Sequence, residues 1–142
     1  MHDCGDFGPF DVLWFPYEFP GDPDRLPKLF VVAVNVPAHR LLRCFKPTSQ
    51  TLRFEKEPTL LKGVVEYCKG DLSCFDADRT IIESDTYGIT YEHILRCHRD
   101  GKFDHKGSLP DDFRDRMVEA VKNRPDWRAI QKREFLAWFK PD

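Results

Sequence analysis

The placement of proline constrains this chain more than any other feature. Eight of the eleven prolines fall before residue 59. A proline inside a helix removes a backbone hydrogen bond and clashes with the preceding turn, so a long helix is not expected in that part. Short β-type runs fill it instead. Residues 10–15 (FDVLWF) are an apolar run stopped by Pro16, and residues 28–36 (KLFVVAVNV) are rich in β-branched side chains and stopped by Pro37. Residues 40–46 alternate basic and apolar side chains until Pro47, residues 51–55 (TLRFE) alternate cleanly, and residues 60–68 and 79–83 (RTIIE) read as further strands. Regularly spaced strands with tight turns predict a small barrel or sandwich.

After residue 90 the period changes. Thr90 suits the cap of a helix over 91–99 that Gly101 stops. Pro110 with Asp111 and Asp112 suits the start of a second helix, in which Phe113, Met117, Ala120 and Val121 share a face. Asp126 suits the cap of a third, with Trp127, Ile130, Leu136 and Trp138 among its apolar residues. Strands first and helices last give an α+β class. With 142 residues and 41% hydrophobic content, the expectation is one domain over 1–142: an arm over 1–9, a mainly β part over 10–85 and a helical part over 90–140.

Composition removes several classes. Twelve Phe and 41% hydrophobic content argue against disorder. No run approaches the roughly 18 apolar residues needed to cross a bilayer, and the acidic, proline-broken start lacks the features of a signal peptide. Five cysteines at 4, 44, 68, 74 and 97 are an odd number without scaffold spacing, which fits reduced thiols. A soluble, cytoplasmic protein is expected.

The net charge of −2 conceals a segregation. Residues 1–24 carry six acids and no Lys or Arg, whereas residues 25–54 carry Arg25, Lys28, Arg40, Arg43, Lys46 and Arg53 and no acid. Such a stretch suits a phosphate backbone, although scattered surface bases are common in proteins that bind none. Within it, Lys46-Pro47-Thr48-Ser49 places two hydroxyls beside a cation, a set that can hold a phosphate and that equally suits an ordinary turn. Trp14, Phe15, Tyr17 and Phe19 lead into Asp22 and Asp24; exposed aromatics stack bases of single-stranded RNA, and buried ones are core. His93 and Cys97 stand one helical turn apart, but CxxC, HExxH and glycine-rich phosphate loops are absent, so neither a metal nor a cofactor is expected.

The order of these features resembles the PemK/MazF family of toxin endoribonucleases. Residues 10–16 (FDVLWFP) match its opening strand, 25–32 (RLPKLFVV) its arginine–proline strand, and Pro47-Thr48-Ser49 its Thr-Ser step. Residues 78–82 (DRTII), Ile94, Gly101 and 109–121 follow in the family's order. The resemblance implies an SH3-like β-barrel with C-terminal helices and metal-independent cleavage of single-stranded RNA. It also implies a homodimer and an antitoxin protein as partner. Catalysis falls to Thr48, with Ser49 beside it, and to Arg25 as a cation near the family's arginine position, while Lys28, Arg40, Arg43, Lys46, Arg53 and Trp14 are the candidate RNA-binding residues of the basic and aromatic stretches. The chain departs from the family at one point: Leu26 precedes Pro27 where the family has arginine, and a one-residue shift in a strand turns a side chain to the other face. Two other readings stay open, a non-catalytic SH3-like module that binds protein or nucleic acid, and a phage or plasmid accessory protein whose acidic N-terminal arm covers its own basic groove.

Overall fold

A computed structural model describes residues 3–21 and 25–140. In chain order the strands and α-helices are β1 (Asp11–Pro16), β2 (Pro27–Val36), β3 (Leu41–Phe45), α1 (Leu52–Lys56), β4 (Val64–Cys68), β5 (Arg79–Glu83), β6 (Thr86–Thr90), α2 (Tyr91–Arg99), β7 (Asp104–Ser108), α3 (Phe113–Lys122) and α4 (Ala129–Phe139). They form two compact units, each assembled from two separated segments: 1–46 with 86–109, and 47–85 with 110–142. The α+β class is therefore observed. Asp22 and Asp24, the end of the acidic segment, lie outside the described residues.

The first unit is a five-stranded antiparallel sheet in the order β6-β3-β2-β1-β7, open at β6 and β7 rather than closed into a barrel. Cross-strand partners share a face. The pairs Leu13–Phe30, Phe15–Lys28, Val32–Cys44, Leu42–Ile89 and Cys44–Tyr87 therefore define one side of the sheet. Leu13, Phe15, Phe30, Val32, Leu42, Cys44 and Ile89 pack there with Tyr91, Ile94 and Cys97 of α2. Phe15 and Phe30 stack at 4.5 Å, 9° from parallel, and both are fully buried. Burial of each such ring stabilises by about 1.5–3 kcal/mol. The Thr90 side chain accepts from the His93 N–H and starts α2 as expected. The N-terminal segment is held by one amide, since Asn35 Nδ2 donates to the carbonyls of Cys4, Gly5 and Phe7, and Tyr91 donates to Asn35 Oδ1.

The second unit pairs β4 with β5 and packs α1, α3 and α4 around them. Phe54, Leu60 and Ile81 form one cluster. Phe113, Met117, Ala120 and Val121 are buried on α3, as their spacing predicts. Three expectations are corrected. Residues 51–55 are not a strand: the Thr51 carbonyl accepts from the N–H groups of Phe54 and Glu55, a helical turn forms, and Phe54 is buried while Leu52 stays 61% exposed. The strand expected from residue 60 begins at Val64, because Pro58 initiates a 3-10 helix through Gly63. The last helix starts at Ala129 behind a capping pair of Arg128 and Gln131, and it buries Phe135 and Phe139 rather than Ile130.

Gly63 is required by packing. A Cβ there would meet the Arg124 Cα at 2.7 Å. Gly63→Ala is expected to destabilise the protein by about 1–3 kcal/mol, the cost of overpacking, measured as a lowered denaturation midpoint.

Candidate functional site

A connected group of ionisable side chains among the described residues lies in the second unit. β5 ends at Glu83, and the turn that follows presents Ser84 and Asp85. α1 carries Arg53, and the connection between α3 and α4 carries Arg124 and Asp126. The Arg124 side chain is 7% exposed. Its Nε donates to Asp126 Oδ1 at 2.7 Å and its Nη1 to the buried Ser84 hydroxyl at 2.7 Å. Its Nη2 lies 3.0 Å from Asp85 and 3.6 Å from Glu83, and the guanidinium stands over Trp127 at 4.2 Å. Arg53 Nη1 donates to Glu83 Oε1 at 2.6 Å. Arg53, Glu83, Arg124 and Asp126 border a hollow with Phe54, Leu60, Gly63 and Val64.

Two carboxyls of the group are pushed in opposite directions. Burial, with a hydrogen bond that protonated Glu83 donates to Asp85, raises Glu83 above its ordinary value although two guanidiniums face it. The hydrogen bond from Arg124 lowers Asp126. A carboxyl of raised proton affinity can give and take a proton, and the guanidiniums beside it can stabilise added negative charge. Thr48 lies in the same unit. It exchanges backbone hydrogen bonds with Ile81 at 2.9 and 2.8 Å, two residues before Glu83 on β5. Thr48 Oγ1 accepts from the Gln50 N–H at 3.1 Å, and Ser49 is exposed.

The other residues singled out in the sequence are dispersed. Arg25 belongs to the first unit, 78% exposed and paired with Glu18 at 2.8 Å. Arg40 sits in a left-handed turn, paired with Glu92 and placed over the Tyr91 ring. Arg43 and Trp14 lie on the sheet face opposite Cys44 and Phe15, and Lys106 stands over the Trp14 ring at 5.4 Å. Lys28 and Lys46 converge on Phe19, each 5.7 Å from the ring centroid. His93 Nε2 lies 3.5 Å from Cys97 Sγ and 2.7 Å from the Pro16 carbonyl, and burial pushes the Cys97 thiol up. Among the described residues no three His, Cys, Asp or Glu side chains are grouped to hold a metal, and no helix is long and apolar enough to cross a membrane.

Glu83, Asp85 and Arg124 were not marked by any motif. The available signal was two acids spaced i, i+2 after an apolar strand (IIESD); nothing local marks Arg124.

No protein-family model matches the chain, and no curated protein is detectably similar to it. Arg124→Met leaves three carboxylates without their buried cation and is expected to cost about 3–5 kcal/mol. Glu83 adds stability that is complete below 4.5 and fades as pH rises through its raised value. Asp126 adds stability that is present above 3.8 and fades as pH falls through its lowered value. Glu83→Gln should remove the first slope and Asp126→Asn the second, read as urea midpoints in a series that runs from below the ordinary aspartate value of 3.8 up to neutral pH.

Proposed function

We propose that the chain is a metal-independent endoribonuclease of PemK/MazF type acting on single-stranded RNA. The observation that carries this reading is the raised Glu83 carboxyl held by Arg53 and Arg124 in the unit that contains Thr48 and Ser49. The reaction needs three services. The 2′-hydroxyl must lose its proton as its oxygen attacks the adjacent phosphorus. The extra charge on the phosphoryl oxygens must be stabilised. The departing 5′-oxygen must gain a proton, leaving a 2′,3′-cyclic phosphate. Glu83 suits the proton donor and its neighbour Asp85 the acceptor. Arg53, about half exposed, suits the cation for the phosphoryl oxygens. The Thr48 hydroxyl accepts from Gln50 and keeps its own proton to donate to a phosphoryl oxygen.

In this reading Arg53 takes the role that the family resemblance assigns to the arginine at Pro27. The SH3-like barrel relationship, the homodimer, the antitoxin and the cytoplasmic location belong to the same proposal. The antiparallel order of β1, β2 and β3 followed by the Thr-Ser step supports the barrel relationship.

The test is incubation of long single-stranded RNA with the protein in EDTA. Discrete fragments with cyclic phosphate ends are expected, with Glu83→Gln and Arg53→Gln each slowing cleavage by about 10²–10³-fold. No cleavage by the wild type overturns the reading. Loss with Arg25→Ala but not with Arg53→Gln returns the cationic role to Arg25.

A further inference from the structure

A second group of side chains, in the first unit, takes no part in the chemistry just described. Pro16 and Pro20 bracket the segment Tyr17-Glu18-Phe19 in the connection after β1. Phe19 lies 4.9 Å from Tyr17 and 4.9 Å from Tyr87, edge-on to both, and 6.1 Å from the buried Phe30 in a near-parallel stack. Tyr87, on β6, is 38% exposed. Lys28 from β2 donates to the Tyr17 and Leu26 carbonyls, which fixes its ammonium beside the Phe19 ring. Lys46, just after β3, brings a second ammonium to the same ring. Glu18, in the same connection, is paired with Arg25. Four separate stretches of chain thus bring two partly exposed rings and two cations together at one end of the sheet face that α2 covers.

We propose that Phe19, Tyr87, Lys28 and Lys46 form a stacking site for a base of single-stranded nucleic acid, with the two ammoniums serving its phosphates. A base offers a flat π-face whatever its identity, and its strand carries one negative charge per nucleotide. The Tyr87 ring, braced by Phe19, can meet the first, and the ammoniums held over the Phe19 ring can meet the second. A duplex hides its bases and can use only the charge. The inference rests on the RNA reading above for the identity of the strand, but it concerns capture and not cleavage.

The probe is a fluorescein-labelled 2′-O-methyl oligouridine of about 12 nucleotides, within the usual site size. It has no 2′-hydroxyl to attack with, so binding to the full-length wild-type protein is read without cleavage. Anisotropy titrations at several salt concentrations give affinity and salt slope. Tyr87→Ala is expected to weaken binding at least about fivefold without changing the slope, the lower end for one stacked base. Phe19→Leu keeps the apolar bulk against Phe30 and should do the same, with circular dichroism confirming the fold. Lys28→Gln combined with Lys46→Gln should reduce the slope by about 1.4. A duplex RNA of equal length should bind more weakly than the single strand. Unchanged affinity in both aromatic variants, an unchanged slope in the lysine pair, or a duplex that binds as tightly overturns the site. Binding that follows these expectations in a protein that cuts no RNA overturns the catalytic proposal alone.

Discussion

The second unit is organised around one buried charge. A guanidinium removed from water needs partners for its five N–H donors, and Arg124 finds them on Ser84, Asp85, Asp126 and Glu83. Those partners come from the end of β5 and from the connection after α3, so the position of the strand and that of the helix are set by the same group. Several other features follow from it. Gly63 has no side chain because the Arg124 backbone occupies that space. Arg53 is drawn to the outer oxygen of Glu83, which places α1 beside β5. Glu83, partly buried with a second carboxyl next to it, retains a proton more readily than a surface acid. Structural lock and candidate chemistry are thus the same set of atoms.

The first unit reaches order by a different route. Its sheet face is filled by aromatic and aliphatic side chains, and the polar element inside it is the Asn35 amide, which gathers three carbonyls from the N-terminal segment. That segment, acidic in sequence and a natural candidate for a loose arm, is therefore anchored from Asp3 through Phe7, and Cys4 is buried among the core residues.

Much of this was legible from residues alone. Proline placement excluded long helices from the first half, and Thr90, Gly101 and the Phe113 face marked two of the later helices. β6 and β7 left no mark, for a physical reason: they are the edges of the sheet, β7 buries nothing and β6 buries only Ile89, so neither carries the apolar alternation that reveals a strand. Residues 51–55 carried the alternation and became a helix, because one inward side chain, Phe54, satisfies either period. Charge counting identified a basic stretch, yet the stretch does not form one groove. Lys28 and Lys46 meet at Phe19, Arg40 is paired with Glu92, and Arg43 points from the other face. Charge totals record sign but not direction, and in a strand successive residues face opposite ways. The Glu83–Arg124 group joins positions about 40 residues apart and could not be read from spacing at all.

The interleaving of the two units bears on how the chain comes to be folded. β1, β2 and β3 are complete once residue 45 has been synthesised, but the strands that flank them, β6 and β7, lie beyond residue 85. Until then the three-stranded meander has two bare edges, each a row of unpaired amides and carbonyls rich in apolar side chains. A nascent or truncated chain that stops at residue 85 lacks both covering strands. Partial products of this protein are therefore expected to associate through these edges, and the polar β7 strand, which contributes almost nothing to the core, serves to pair the apolar β1 edge.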